Sequence, residues 1–249
     1  MMRKKQIFVF VLSVVFVLIM LVSVYMMFTV NKVNVRFFVY TDSDETVELQ
    51  EEFNKFTGKN LLFFDTDSVY KKVDVGPRYE IQSVKKSFPD TIEVEVRERR
   101  ERFVVSFGNE NYVVSDEGYV LGVAEGNDNL ITINLSGITV DQPVLGLKLS
   151  CDHDDDLFNA FALTNVDGVV DAVKEMTVEY VGKTLRSVIF LTATDVRIRI
   201  PMATEYGIQK TETAFKVFFN EVRDYIKSYS EIRVDIQPDG TLRTVWVQQ

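Results

Sequence analysis

The sequence is poor in the side chains that carry out most protein chemistry. Its 249 residues include one cysteine, one histidine and one tryptophan. A single cysteine excludes an internal disulfide bond, so nothing in the composition calls for oxidative folding. The G-x-S-x-G, G-x-G-x-x-G and Walker motifs are all absent. We therefore predict that the protein is not an enzyme, needs no cofactor and has no small-molecule substrate.

The only histidine, His153, lies within an acidic run that extends from Cys151 to Asp156. Zinc sites need Cys or His ligands, usually from two separated segments, and the chain has no second Cys or His. A calcium loop needs spaced acidic residues, a central glycine and a final glutamate, whereas this run is contiguous. Negative charge stabilises the first turn of a helix, so we expect a helix to begin near Asp154. The sequence predicts no metal site.

Basic residues are outnumbered by acidic ones, 28 against 37, which gives a formal net charge of −9. Three of the 28, Arg3, Lys4 and Lys5, precede the first apolar run, and no acidic residue lies in the first thirty positions. The rest of the chain therefore carries 25 basic and 37 acidic residues, a net charge of −12. Such a surface repels nucleic acid and anionic lipid, so we expect neither as a partner.

A long apolar run lies near the N-terminus. Residues 7–30 contain no charged side chain, and as a helix they would extend roughly 36 Å, enough to cross a hydrocarbon core of ~30 Å. The basic residues before it favour a cytoplasmic N-terminus. We expect a cytoplasmic tail at 1–6, a transmembrane helix at 7–30 and extracytoplasmic domains beyond it. A cleaved signal peptide is the alternative, but its apolar core is about 7–15 residues long and ends at small residues, unlike 22–25.

The segment after this run has the pattern strand, helix, helix, strand, strand. The first strand, 33–40, is rich in valine and phenylalanine. Two helical patterns follow, the first preceded by N-cap residues at 41–44. In the last strand Ile92, Val94 and Val96 alternate with charged residues, which is typical of a half-buried antiparallel strand.

Short β-like runs separated by turn residues make up most of the chain after 102. Among them we expect a helix within 152–167 and a longer one at 206–229, because apolar residues recur there at helical spacing. A run at 145–149 is less regular. The last two strands are expected at 232–236 and 242–247. Because the sequence ends two residues later, we expect the final strand to be a sheet edge.

The most distinctive motif is VKKSFPDTIEVEVRER, from Val84 to Arg99. It resembles the V-x-R-x-(F/W)-P-x-T-(L/I)-x-(I/V)-x-V-x-E-R pattern at the end of the POTRA domain in the cell-division family FtsQ, also called DivIB. Lys86 stands where arginine is usual, and Glu101 stands where proline is frequent. The resemblance implies an α+β chain with a transmembrane helix, a POTRA domain at 31–101 and a β-rich domain at 102–249. The POTRA domain would have three strands and two helices, and the β-rich domain a long helix near its C-terminal end.

The resemblance also implies a function. FtsQ-like proteins are single-pass membrane scaffolds at the division septum that help to assemble and regulate septal peptidoglycan synthesis. Their second domain binds the bitopic proteins FtsB/DivIC and FtsL through its last strand and the neighbouring helix, which in this chain is the helix from Tyr206. Their POTRA domain is placed to meet other division proteins. Carried over to this chain, the partner-binding residues are Leu242, Arg243, Thr244, Val245, Trp246 and Val247.

Two alternatives stay open at this level. Trp246 is either a core residue that caps the sheet or an aromatic contact to a partner, since tryptophan is favoured at interface hot spots. The second alternative concerns the function: instead of an FtsQ-like protein, the chain would be a different POTRA-bearing envelope protein, an accessory of transport or sensing that binds partners by strand addition. A transport protein with its own membrane barrel would need more strands of ~10 residues than this sequence contains.

Overall fold

The computed structural model describes residues 2–39, 45–124, 126, 129–152, 154–222 and 229–248. Four sequence predictions lie wholly or partly outside these ranges: position 40 of the first strand, the N-cap residues at 41–44, His153 and the stretch 223–228 of the longer helix. The chain divides into two compact units, Met1–Glu98 and Arg99–Gln249, and each has its own sheet and buried cluster. This architecture confirms the predicted α+β class, with a small three-stranded sheet and a larger β-rich sheet.

The first unit follows the predicted order of strands and helices. It contains α1 (Met2–Met27), β1 (Lys32–Phe38), α2 (Glu45–Asn54), α3 (Asp67–Lys72), β2 (Tyr79–Ser87) and β3 (Thr91–Glu98). β3 lies in the middle of the sheet, parallel to β1 and antiparallel to β2. Its residues Ile92, Val94 and Val96 are at most 1% exposed and share a buried cluster with Phe53 of α2 and Val69 of α3. The predicted inward face of this strand is therefore correct.

α1 is long and apolar enough to cross a membrane from Gln6 to Met27, and none of its most apolar stretch is buried within the protein. The helix ends before the end of the predicted span at 7–30. Val30 is fully buried in the cluster of the first unit, where its backbone N–H donates to the Lys59 carbonyl oxygen. The apolar run therefore has two roles, because its last residues pack into the domain that follows.

The second unit is built on one nine-stranded sheet, with the order β12-β11-β10-β9-β8-β7-β4-β5-β6. Its elements are β4 (Glu101–Phe107), β5 (Glu110–Ser115), β6 (Val120–Val123), β7 (Ile131–Ser136), α4 (Asp154–Ala162), α5 (Val169–Ala172), β8 (Val173–Val181), β9 (Thr184–Thr192), β10 (Arg197–Pro201), α6 (Gly207–Val217), β11 (Tyr229–Ile236) and β12 (Leu242–Gln248). A 3-10 turn spans Leu163–Asn165, and a π-helical turn spans Phe218–Val222. Phe161 of α4 and Phe215 of α6 belong to the same buried cluster as Phe190 of β9.

The longer helix differs from its prediction. α6 changes to the π-helical turn after Val217, and Tyr229, predicted to end the helix, instead begins β11. The residues after Tyr229 also alternate with period two, and pairing with β10 and β12 decides in favour of a strand. Ile208, one of the apolar residues that recur at helical spacing in this segment, is 49% exposed. The run at 145–149 is not a strand, although Lys148 forms an isolated bridge with Tyr119.

Candidate partner-binding strand

The predicted contact residues 242–247 lie in β12, the last strand of the nine-stranded sheet. Among the strands that the structure describes, β12 pairs with β11 alone, antiparallel, from Leu242 opposite Ile236 to Gln248 opposite Tyr229. An edge strand presents one row of backbone groups to whatever lies beside the sheet. The geometry therefore places all six predicted residues on an edge strand of the nine-stranded sheet.

The opposite edge of the same sheet differs from β12. β6 is a four-residue strand, and a neighbouring loop covers part of its outer side. The backbone N–H of Val120 donates to the Leu147 carbonyl oxygen at 2.9 Å, and the N–H of Gly146 donates to the Val120 carbonyl oxygen at 2.9 Å. Short and covered edges are common ways to prevent strand addition. Of the two edge strands, β12 is the longer, with seven residues against four.

Side chains of β12 alternate between the two faces of the sheet. Leu242 and Trp246 pack against the buried cluster of the second unit, and Trp246 lies opposite the fully buried Ile232. Trp246 itself is only half-buried. It therefore combines features of the two interpretations made from the sequence, since part of the side chain packs on the core while another part remains accessible at the sheet edge.

Arg243, Val245 and Val247 lie on the other face of β12, where they are opposite Asp235, Arg233 and Glu231 of β11. Arg243 and Val247 are exposed, and Val245 is half-buried. This face therefore places two valines beside charged neighbours, which is a mixed surface rather than a continuous apolar patch. Its apolar contribution to binding would come from single side chains and not from a large patch.

A polar network crosses the same face from β8 to β11. Arg199 Nη1 donates to Glu179 Oε2 at 2.8 Å, and Arg199 Nε lies 3.3 Å from Glu231 Oε1. Ser187 Oγ donates to Glu179 Oε2 at 2.6 Å. This hydrogen bond and the charge of Arg199 lower the pKa of Glu179, although partial burial opposes them. Sequence reasoning missed the network because its members come from four strands.

α6 is held beside this end of the sheet by a buried lysine. The Nζ of Lys210, on a side chain that is nearly inaccessible, donates to the carbonyl oxygens of Pro201 at 2.7 Å and Met202 at 3.1 Å. Burial lowers the pKa of Lys210, while Glu205 and Asp235 act in the opposite direction. This contact was not predicted from the sequence. The only sequence signal for it is that Lys210 is next to Thr211, a buried residue of α6.

The acidic run at 151–156 begins a helix, as predicted. α4 starts at Asp154, and Asp154 Oδ1 accepts a hydrogen bond from the backbone N–H of Cys151 at 2.6 Å. Three aspartates occupy the first turn, where they are stabilised by the helix dipole. Within the described part of the chain, no group of three or more His, Cys, Asp or Glu residues is arranged to hold a metal ion.

No protein-family model matches the chain, but curated proteins are similar to it. It is 23% identical over 125 residues to the cell division protein DivIB of Clostridium acetobutylicum, covering 50% of this chain and 49% of that protein. It is 23% identical over 185 residues to DivIB of Clostridium botulinum strain Hall, covering 74% of this chain and 70% of that protein. For DivIB of strain Loch Maree the identity is 21% over 187 residues, with the same coverage. These matches support the DivIB/FtsQ family for this chain.

The DivIB/FtsQ family assignment agrees with the architecture described above. An apolar N-terminal helix, a small three-stranded sheet and a larger β-rich sheet occur in the expected order. The assignment supports a role in cell division, and the apolar α1 supports attachment to a membrane. The match spans about half the length of the C. acetobutylicum relative and about 70% of the C. botulinum relatives.

Proposed function

We propose that this chain is a non-enzymatic, single-pass membrane scaffold of the bacterial divisome. It binds FtsB/DivIC-like and FtsL-like membrane proteins, and through them it helps to assemble and regulate septal peptidoglycan synthesis. The observation that carries the proposal is the position of β12 at the edge of the nine-stranded sheet in a chain similar to DivIB. A partner segment would add to the sheet beside Leu242–Gln248.

Strand addition accounts for binding in two parts. Backbone hydrogen bonds along β12 supply affinity that depends little on side-chain identity, and alternate side chains supply specificity. Trp246 offers a large and rigid apolar surface for the specific part. Its packing on the cluster of the second unit holds it in place, which lowers the entropy lost when a partner binds.

We propose that the N-terminus lies in the cytoplasm and that the chain after α1, with both sheets, lies outside it, at the septum. The basic residues before α1 support this topology, because positive charge beside the first span is retained on the cytoplasmic side. A reporter that is active only outside the cytoplasm, fused after residue 249, should be active. An inactive exterior reporter, together with an active cytoplasmic one at the same position, would contradict the topology.

The alternative function is that of another envelope protein, an accessory of transport or sensing that binds partners by strand addition. β2, Tyr79–Ser87, is a nine-residue edge strand of the small sheet and offers a second position for strand addition. In the divisome proposal this edge would serve other division proteins. Recovery of transport or sensor proteins in place of division proteins would favour the alternative.

Two exposed valines at opposite edges of the large sheet provide a matched test. Val247 of β12 is 44% exposed and Val123 of β6 is 52% exposed. Full-length tagged variants carrying Val247→Asp or Val123→Asp would be purified from membranes of cells that express them. We expect Val247→Asp to lose the FtsB/DivIC-like and FtsL-like proteins and Val123→Asp to retain them. Equal recovery with both variants would contradict a partner site at β12.

A further inference from the structure

The end of α1 is bound to a loop of the first unit. The Nδ2 of Asn60, a buried residue, donates to the Tyr25 carbonyl oxygen at 2.9 Å, and the backbone N–H of Leu61 donates to the Phe28 carbonyl oxygen at 2.7 Å. The last carbonyl groups of a helix have no partner within the helix, so Asn60 satisfies one of them from a distant part of the sequence. The loop 58–64 is thus fixed against the end of the proposed span.

A second loop lies at the same place. The backbone N–H of Asn31 donates to the Asp90 carbonyl oxygen at 2.9 Å, and the side chains of these two residues are hydrogen-bonded at 3.1 Å. The rings of Phe28 and Phe88 meet edge to face, with their centroids 5.9 Å apart. The turn between β2 and β3 therefore lies beside the end of α1 as well, close to the loop 58–64.

Both loops expose large apolar side chains there. Phe63 is 82% exposed, more than any other large apolar residue in the described part of the chain, and Phe88 and Leu62 are 58% and 45% exposed. We call these three residues the apolar collar. Apolar side chains of this size gain free energy on leaving water, and a group of them on a surface marks an interaction site.

We propose that the apolar collar enters the membrane interface around the extracytoplasmic end of α1. This inference rests on the proposed membrane span. The collar is continuous with the span, because Leu62 and Phe63 directly follow residues that are hydrogen-bonded to its last turn. Apolar side chains that bind at a membrane interface are buried about 5–10 Å into the boundary between headgroups and acyl chains. Residues beside the end of the span can therefore enter this boundary.

The charges around the collar indicate which lipid surface it fits. Lys32 and Lys59 are exposed nearby, and so is Asp65, while Asp90 is half-buried. This rim carries both signs of charge and does not favour an anionic surface. The collar therefore fits a zwitterionic bilayer, entered through apolar contact and not through electrostatic attraction. The small domain would be held against the membrane at two loops in addition to the helix that leads into it.

Single-tryptophan variants of the full-length chain test this directly. In each variant Trp246→Phe removes the natural tryptophan, and one new tryptophan is introduced by Phe63→Trp, Phe38→Trp or Tyr25→Trp. Phe38 is the matched control, because it is also an exposed phenylalanine of the same unit. It lies at the far end of β1 from Lys32, the residue nearest to α1, and at ~3.3 Å per residue the two ends are about 20 Å apart. Tyr25 lies in the last turn of α1 and controls for insertion of the span.

The variants would be reconstituted into phosphatidylcholine vesicles with and without bromine on the upper acyl chain, which quenches nearby tryptophan fluorescence. We expect quenching and blue-shifted emission for tryptophan at 63 and at 25, and neither effect at 38. Quenching at 25 without quenching at 63 would overturn the collar and leave the span intact. Absence of quenching at 25 would overturn the span and the collar together. Equal quenching at 63 and 38 would also overturn the collar, because contact with lipid would then not be confined to it.

Discussion

Each of the two units ends with a strand, but these strands occupy different places in their sheets. β3 lies between β1 and β2, whereas β12 lies at the edge of its sheet beside β11. The inward residues of β3 are at most 1% exposed, while Trp246 on the core-facing side of β12 is half-buried. The inward side chains of the central strand are covered by the fold. An edge strand divides its side chains between the fold and the surface that a partner meets.

The two sheets also share a feature that makes the comparison sharper. In each of them a serine on one strand donates to a glutamate on its neighbour at 2.6 Å: Ser83 to Glu95 in the small sheet, and Ser187 to Glu179 in the large one. In both cases this hydrogen bond is the largest cause that lowers the pKa of the glutamate. The pairs differ in burial, because Ser187 is almost inaccessible and Ser83 is half-buried.

The largest effect is expected at the central strand. Val94→Asp would place an uncompensated charge in the cluster of the first unit, and we expect it to lower the free energy of unfolding by about 3–5 kcal/mol. Glu95→Ala, on the opposite face of the same strand, should have a much smaller effect. Denaturant unfolding of the two purified variants checks the difference. Equal stabilities would mean that β3 is not a central, half-buried strand.

At the edge strand β12 we expect a smaller effect on stability than at β3, together with a clear effect on partner binding. Trp246→Ala should weaken binding of the FtsB/DivIC-like partner by about 2 kcal/mol or more, the scale of an interface hot spot. It should destabilise the chain less than a core truncation does, which is typically about 3–5 kcal/mol, because the side chain is half-buried. Unfolding and partner titration on the same variant separate the two effects. Unchanged affinity would exclude Trp246 as a contact.

The smallest effect concerns pH. A glutamate with a lowered pKa stabilises the fold at pH values above its unfolded pKa, and this stabilisation is lost as the pH falls through its folded pKa. Ser187→Ala removes the main cause of the lowered pKa of Glu179, so we expect it to cost about 1 kcal/mol at neutral pH. This loss of stability should become smaller in acid. At neutral pH we expect Ser83→Ala to lose less stability than Ser187→Ala. A deficit that is independent of pH would contradict this assignment.

The order of strands and helices in the first unit could be predicted because the sequence patterns that indicate them are local. Alternation in β3, helix patterns and turn residues all lie within short windows, and the order of elements follows from them directly. The final strand was likewise placed within one residue of its observed end, Gln248. The order of the nine-stranded sheet was not predictable, because β4, β7 and β8 meet through parallel pairings between segments far apart in sequence.

Two features of the candidate site show the same limit. Tyr229 fits a helical stripe as well as a strand, and only its pairing with β12 decides between them. The burial of Lys210 depends on carbonyl groups at the end of β10, which no local pattern reveals. The half-burial of Trp246 likewise follows from its position at the sheet edge, which explains why the sequence left its role open.

Photocrosslinking in cells tests the central claim, a partner site on β12, most directly. A photoreactive amino acid would replace Arg243, which is exposed on β12, or Val123, which is exposed on β6 at the other edge of the sheet. We expect irradiation to give an adduct with the FtsB/DivIC-like protein from position 243 and none from position 123. An adduct from position 123 alone, or from neither position in cells that divide normally, would contradict a partner site on β12.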